Sequence, residues 1–159
     1  MTEADQLDLD RFDLGRFVAA QNAGGTYQRV LAELRAGRKT GHWMWFIFPQ
    51  IAGLGFSPMS MTYAIRSLPE ARAYLRHPVL GQRLAECART LTELSGSTAE
   101  AIFGDIDAVK LRSSMTLFQH ADPAEDLYGQ VLGRYFGGQS DPLTDQAVAA
   151  AGDGDFLAP

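Results

Sequence analysis

The residues best suited to chemistry fall in one short stretch that reads GRKTGHWMWFIFPQIAGLG. Its histidine, His42, follows two cations, Arg38 and Lys39, which favour a neutral imidazole and therefore a general base or hydrogen-bond acceptor near neutral pH. Two tryptophans, Trp43 and Trp45, offer flat faces on which a ring could stack. Because no ordinary helix or half-buried strand requires this composition, the stretch is predicted to build a site as well as part of the core.

We call residues 37–55 the tryptophan segment. Gln50, directly after Pro49, places a carboxamide in an apolar neighbourhood, where it must find a hydrogen-bond partner. The glycines of Gly53-Leu54-Gly55 could let the backbone approach a ligand closely. Without a preceding strand, however, this G-x-G is no dinucleotide-binding fingerprint.

A second polar cluster lies at Lys110, Ser113 and Ser114. On a helix these three residues share one face, because their spacing is i, i+3 and i+4. A cation one turn away from two hydroxyls could bind an anion. Two other readings stay open: an ion pair between Lys110 and Asp107, and helix packing through the small serines. A Ser-Lys nucleophilic pair is not supported, because the S-x-x-K order and an oxyanion-hole motif are absent.

The other two histidines are predicted to be structural. His77 precedes a proline at a helix junction and suits a helix cap, and His120 ends a predicted helix, where a cation favours the helix dipole. The sequence contains no H-E-x-x-H, acidic triplet or closely spaced histidine pair, so no metal site is predicted. It has no Walker-type phosphate loop, and no cofactor is predicted.

Composition points to one domain in the cytoplasm. The chain has 159 residues, 46% of them hydrophobic, and a single cysteine, Cys87, which excludes an intramolecular disulfide. The longest apolar run, 43–48, is far shorter than the ~18 residues of a membrane span. The acidic N-terminus lacks the order of a signal peptide. We therefore expect a soluble, cytoplasmic protein with no membrane partner.

The charge is distributed unevenly along the chain. Residues 35–92 carry eight basic and two acidic residues, a net charge of +6, although the whole chain carries −5. The remainder therefore carries −11. This middle third can hold a positive field around the tryptophan segment, or its arginines can simply cover solvated helix faces. The pI of about 5.1 argues against a dedicated partner for duplex DNA.

Helix signals recur along the chain and no strand pair is convincing. We expect an all-α fold, a compact multihelical single domain of seven to eight short helices with an irregular aromatic-rich segment. Residues 1–10 are predicted as a flexible acidic N-terminus, 11–150 as the helical domain and 151–159 as a flexible C-terminal tail. Phe48 precedes Pro49, which argues against a long helix through the tryptophan segment. Helix starts are predicted at Asp10, Thr26, Ser57, Ser67, Ser97, Asp105, Asp122 and Asp141.

Several strings resemble a known family. The tryptophan segment is followed by SPMSMTYAI, SLPEARAYLRHPVLGQRL, AIFGDIDAVKLRSSMTLF and RYFGGQSDPLTDQAV. Together they resemble the bacterial domain of unknown function 1810 family over residues 14–147, and H-W-M-W-F-x-F-P-Q is the most specific string. The resemblance implies a compact multihelical domain and supplies no reaction. Members are sometimes mislabelled calpastatin, but this chain has none of the disordered inhibitory repeats of calpastatin.

The leading functional hypothesis is a binding site for an anionic, ring-bearing small molecule, such as a nucleotide or an ADP-ribose-like compound. It would lie between the tryptophan segment and the helix that carries Lys110. A hydrolytic reaction on a glycosidic or phosphate bond stays open, because His42 could activate water. The candidate ligand-binding residues are Arg38, Lys39, Trp43, Trp45, Gln50, Lys110, Ser113 and Ser114.

Two other functions are weighed against this site. The tryptophan segment could be an exposed aromatic surface for an unknown protein partner, which would make the domain an interaction module. Single-stranded RNA would suit the stacking residues but not the acidic overall charge. An exposed, flat aromatic surface would favour the interaction module, whereas a pocket with converging polar groups would favour the small-molecule site.

Overall fold

The fold is all-α, as the sequence predicts. The structure, a computed structural model, describes residues 2–158, without the side chains of residues 5 and 8–10. This part of the chain contains no strand, only isolated bridges at Ile51–Ile65 and Ser67–Asp155. It forms ten α-helices, eight of them with eight or more residues. They are α1 (Glu3–Phe12), α2 (Gly15–Asn22), α3 (Thr26–Arg35), α4 (Met44–Ile47), α5 (Pro58–Thr62), α6 (Leu68–Arg76), α7 (Leu80–Glu93), α8 (Ala99–Ala121), α9 (Leu127–Phe136) and α10 (Pro142–Ala151).

Helix α8 is the central element of the fold. It packs against α6, α9 and α10, and the six consecutive residues 113–118 are all buried. A helix that is buried on every side lies in the interior of a bundle. The helix is broken at Gly104, whose backbone angles of φ 80° and ψ 166° are reached almost only by glycine. The short stretch before this break and the long stretch after it can therefore take different directions.

Several helix starts follow the predicted capping residues. Ser57, Ser67 and Asp141 are the N-caps of α5, α6 and α10, and the side chain of each accepts a hydrogen bond from the backbone N–H three residues on. The prediction that Ser97 caps α8 is wrong by one residue. The cap is Thr98, whose hydroxyl oxygen accepts a hydrogen bond from a backbone N–H at 3.0 Å.

Three other predicted starts differ from the structure. The helix predicted over 10–21 is two helices, α1 and α2, because Asp13 has a positive φ of 52° and interrupts the first one. Helix α3 is preceded by Gly25 in the left-handed conformation, so Thr26 is its first residue and not its cap. Helix α9 begins at Leu127, several residues after the predicted cap Asp122.

Arg16 of α2 holds the N-terminal helices against the rest of the domain. Its Nη2 donates to Glu70 Oε2 at 2.8 Å, and Nε and Nη2 also donate to the carbonyls of Thr62 and Ala64. Its Nη1 donates to two carbonyls in the turn between α1 and α2. Glu70 is 3% exposed and also accepts the backbone N–H of Arg66 at 3.0 Å. This buried pair fixes how α2, α6 and the chain before α6 meet.

The tryptophan segment contributes most of its large side chains to the core. Trp43 is 3% exposed and Phe48 is fully buried, and both rings pack edge-on against Phe103 of α8. The four-residue helix α4 ends at Ile47, because Pro49 keeps the capping residue Phe48 out of the helical conformation, so no long helix crosses the segment. The segment is therefore part of the core, and it does not form an exposed aromatic surface.

The C-terminal residues contact the loop before α6. The backbone N–H of Phe156 donates to the carbonyl of Arg66 at 2.8 Å, and Asp155 pairs with the Arg66 guanidinium at 3.0 Å. The flexibility predicted for 151–159, like that for 1–10, stays a prediction, and residues 1 and 159 lie outside the described residues. No helix among the described residues has the length and apolar character to cross a membrane. The cytoplasmic location also stays a prediction.

Candidate functional site

Glu33 of α3 positions the start of the tryptophan segment. One oxygen of its carboxylate, Oε1, accepts hydrogen bonds from the backbone N–H groups of Thr40 (2.6 Å) and Gly41 (2.8 Å) and from Trp43 Nε1 (3.0 Å). Burial alone would raise the pKa of Glu33, but these hydrogen bonds outweigh it and lower the pKa below the ordinary value of 4.5. The indole of Trp43 is therefore fixed, and its N–H is already used.

Lys39 joins the tryptophan segment to α8. Its Nζ donates to the carbonyl of Gly41 at 2.5 Å and pairs with Asp107 Oδ2 at 2.9 Å, while its backbone N–H donates to the carbonyl of Ile102. The ammonium also lies 5.0 Å from the ring centroid of Trp43. Because only 8% of the side chain is exposed, Lys39 is a structural cation and is poorly placed to meet a ligand.

Lys110 is the more accessible of the two lysines. Its Nζ lies 3.3 Å from Asp107 Oδ1 and 4.9 Å from the ring centroid of Trp45, and 21% of its side chain is exposed. An ammonium has three N–H donors, so the pair with Asp107 leaves donors for another partner. Asp107 therefore bridges Lys39 and Lys110, and each lysine covers one tryptophan. The predicted opposition of the tryptophan segment and α8 is present.

Two buried donors beside Lys110 have no partner among the described residues. They are the indole N–H of Trp45 and the hydroxyl of Ser114. Trp45 also lines a cavity of about 10 Å³ together with Gln50 and Ser60. The half-buried Gln50 side chain forms no hydrogen bond with residues 2–158. Buried polar groups in folded proteins are nearly always paired, so the indole N–H of Trp45, which lines this cavity, indicates a place for a small polar partner.

The Gly-Leu-Gly turn shapes this cavity through a close approach within the protein. A methyl group placed on Gly55 would lie 2.7 Å from the hydroxyl oxygen of Ser60, so the backbone passes too near Ser60 for any side chain. Gly53 has a φ of 100°, which favours glycine. Gly55 thus allows the loop to pack against α5, on the wall of the cavity beside Trp45.

Three predicted site residues face elsewhere. Ser113 is 2% exposed, and its hydroxyl donates to Asp141 Oδ2 at 3.0 Å, so it fixes the N-terminus of α10. Arg38 and His42 are exposed, and their side chains form no hydrogen bond within the described part of the chain. The structure therefore brings together Lys39, Trp43, Trp45 and Lys110, with Gln50 beside Trp45, and leaves Ser113 outside this group.

The other histidines take structural positions. Nδ1 of His77 accepts the backbone N–H groups of Val79 (3.0 Å) and Leu80 (3.2 Å), which confirms its role as a cap at the start of α7. Nε2 of His120 lies 2.7 Å from Asp145 Oδ1 and joins α8 to α10. Among the described residues, no group of three or more histidines, cysteines or acids could hold a metal ion.

Sequence reasoning missed Glu33, which organises the segment. Its position between the buried residues Val30 and Leu34 of α3 gives no sign that the carboxylate faces a loop eight residues further along the chain. Asp107 was considered only as a partner of Lys110, and its pairing with Lys39 needs the fold.

Comparison with known proteins gives a family and one close solved structure. The family model described as "Protein of unknown function (DUF1810)" matches residues 11–148. The crystal structure of the conserved hypothetical protein Rv1873 from Mycobacterium tuberculosis is 51% identical in sequence. That match covers 88% of this chain and 96% of the other chain, with a TM-score of 0.82. No curated protein matches.

Proposed function

This chain belongs to the DUF1810 family of proteins of unknown function, and we propose that it binds an anionic, ring-bearing small molecule beside Trp45 and Lys110. The observation that carries the proposal is the buried, unpartnered indole N–H of Trp45, whose ring lies under the accessible ammonium of Lys110. An anionic oxygen would accept from this N–H and from Lys110 together. Such charge-assisted hydrogen bonds are about twice as strong as neutral ones.

The dimensions of the site limit how the ligand binds. The cavity of about 10 Å³ has room for roughly one water-sized group, so only a small polar group of the ligand can enter it. The ring would lie outside, against the face of the half-buried Trp45 opposite Lys110, with the Gln50 carboxamide at its edge. A nucleotide or an ADP-ribose-like compound has both parts, an anionic group and a ring. Lys39, which lies over Trp43, helps to position Lys110 through the shared partner Asp107, and the exposed Arg38 adds positive charge at the surface.

A thermal-shift screen against nucleotides and ADP-ribose derivatives tests this proposal. A ligand present at 100 times its Kd stabilises the protein by about 2.7 kcal/mol, which corresponds to roughly 5–10 °C for a domain of this size. The Lys110→Gln variant should lose about tenfold in affinity, or ~1.4 kcal/mol, for the compound that shifts the wild type. Trp45→Phe keeps a ring but removes the N–H, and should also weaken binding.

Arg134→Gln is the matched control, because it removes one exposed positive charge on α9. Tryptophan fluorescence gives a second measurement, since the Trp43→Phe variant retains only Trp45 as a reporter. Its emission should respond to the ligand, whereas Trp43 in the Trp45→Phe variant should respond little. If no compound raises the melting temperature, or if Lys110→Gln and Arg134→Gln weaken binding equally, the proposed site is refuted.

A hydrolytic role for His42 can be tested separately from binding. His42 is exposed and no described residue orients its ring by a hydrogen bond, so any catalytic geometry would have to form with the bound substrate. The hydrolytic version predicts that His42→Ala abolishes turnover of a bound nucleotide or ADP-ribose derivative and leaves its affinity nearly unchanged. Unchanged turnover in His42→Ala would remove His42 from the mechanism.

One observation favours the second function, a protein-interaction module. Phe56, Met61 and Leu157 are 79%, 65% and 53% exposed, and all three border one shallow apolar cavity of about 120 Å³. This surface lies at the end of the tryptophan segment and not within its buried part. A photo-crosslinking side chain at position 56 should then give one discrete adduct in cells. The same group at Ile106, which is 76% exposed, serves as the control.

A further inference from the structure

A larger concave surface lies where α3 meets the corner between α6 and α7. It encloses about 700 Å³ and shares no lining residue with the cavity beside Trp45. We call it the arginine groove, because three arginines, Arg76, Arg83 and Arg89, line it. Gly81 and Ala85, one helical turn apart on α7, also line the groove.

Arg83 is held in position within the groove. Its Nη1 donates to the side-chain oxygen of Gln21 at 3.2 Å, and its guanidinium carbon lies 4.6 Å from the ring centroid of Tyr27. A guanidinium has five N–H donors, and within the described residues Arg83 uses one of them. The remaining donors are therefore carried by a side chain whose orientation is already fixed, which lowers the entropy cost of binding an anion.

The charge of the groove is positive. The Arg89 side chain is exposed and forms no hydrogen bond or ion pair with the described residues, and Arg76 adds a third guanidinium. Glu86 is the one acid among the described lining residues, and its carboxylate accepts a hydrogen bond from the hydroxyl of Tyr27. Burial, followed by nearby negative charge, raises the pKa of Tyr27, so this hydroxyl remains a donor to Glu86. The net charge of these side chains is +2.

We infer that the arginine groove binds the phosphate groups of a small phosphorylated molecule. A guanidinium presents paired N–H donors in a plane that matches two oxygens of a phosphate, and the held Arg83 and the exposed Arg89 offer two such pairs. The volume lies within the roughly 300–1,000 Å³ typical of small-molecule sites. Because Arg83 already covers the ring of Tyr27, the groove recognises the charge of its ligand and offers no free aromatic face.

Titration calorimetry with inorganic pyrophosphate tests the inference on the full chain. The wild type should bind pyrophosphate, and added sodium chloride should weaken the binding because salt screens the exposed cations. The Arg89→Gln variant should bind about tenfold more weakly, since one charge-assisted contact is lost. The Arg89 side chain makes no hydrogen bond with the described residues, so this variant should keep the melting temperature of the wild type.

Two further variants decide the location of the bound pyrophosphate. Arg134→Gln removes the same charge from a helix that does not line the groove, and it should bind like the wild type. Lys110→Gln should also bind like the wild type, because Lys110 lies in the other site. The inference is overturned if pyrophosphate does not bind, if Arg89→Gln binds as the wild type does, or if Lys110→Gln abolishes binding. The last result would assign the anion to the site beside Trp45 instead.

Discussion

Replacing Glu33 tests whether one carboxylate holds the tryptophan segment in place. Glu33→Gln keeps an oxygen that can accept the hydrogen bonds from Thr40, Gly41 and Trp43 but removes the charge. A hydrogen bond to a charged group contributes about 1.5–3 kcal/mol, and a neutral one about 0.5–1.5. The three bonds share one oxygen, and Thr40 is exposed to water, so we expect a total loss of about 1–2 kcal/mol for Glu33→Gln. Glu33→Ala, which leaves the buried Trp43 N–H without an acceptor, should cost about 2–4 kcal/mol.

The stabilisation by charged Glu33 should depend on pH, and it should be lost in acid. The pKa of Glu33 is lower in the folded protein than its ordinary value of 4.5. The charged carboxylate therefore stabilises the fold fully above the unfolded-state pKa, and this contribution disappears as the pH falls through the folded-state pKa. The difference in unfolding free energy between wild type and Glu33→Gln should be constant from pH 8 to about 5.5 and should shrink below about 4.5.

Urea unfolding, followed by tryptophan fluorescence at a series of pH values, measures both effects. Glu93→Gln is the control, because Glu93 is exposed at the end of α7 and makes no hydrogen bond within the described residues. It should change stability by less than about 0.5 kcal/mol. The reasoning is refuted if Glu33→Gln behaves like Glu93→Gln at pH 7, or if its deficit does not shrink in acid.

Three further substitutions test the fold that positions the site, each by urea unfolding. Arg16→Lys should lower the free energy of unfolding by about 3 kcal/mol, because an ammonium cannot reproduce the five hydrogen bonds that the guanidinium donates, one of them to the buried Glu70. A loss under about 1 kcal/mol would contradict this role. Gly81→Ala should lower the free energy of unfolding by at least about 2 kcal/mol, since its methyl would lie 2.0 Å from a backbone oxygen. Gly133→Ala is the control, because a methyl there meets open space and should be neutral or stabilising by up to about 1 kcal/mol. Gly104→Ala should cost about 1–3 kcal/mol through backbone strain at its positive φ, and a neutral effect would mean that the break in α8 needs no glycine.

The local features of the fold could be predicted well from the sequence. A helix cap is a hydrogen bond between residues three positions apart in the sequence, so the caps Ser57, Ser67 and Asp141 can be predicted from local sequence and are confirmed. The error at Ser97 has a local cause, because Ser97 and Thr98 are both good caps and only the packed helix selects between them. Asp13 could not be found in this way, since nothing in its neighbourhood requires a positive φ at a residue other than glycine.

The site could be predicted only in part, because pairing between distant residues depends on the fold. The tryptophan segment and Lys110 were placed opposite each other correctly. The sequence could not show that Asp107 engages both lysines, or that the hydroxyl of Ser113 turns to Asp141 while that of Ser114 stays unpartnered. Adjacent residues on a helix face different neighbours, and only the positions of α10 and the tryptophan segment decide which neighbour each one meets.

The net positive charge of residues 35–92 is partly neutralised in the folded protein by acids from other parts of the chain. Arg66 and Arg72 pair with Asp155 and Asp153 near the C-terminus, at 3.0 and 2.9 Å. Such exposed pairs add little stability, but they cancel the local field of these two arginines. On α7, Arg83 and Arg89 line the groove with one described acid, Glu86, which accepts a hydrogen bond from the Tyr27 hydroxyl. Arg83 and Arg89 are therefore less neutralised by carboxylates than Arg66 and Arg72, which is why the proposed anion site lies in the arginine groove.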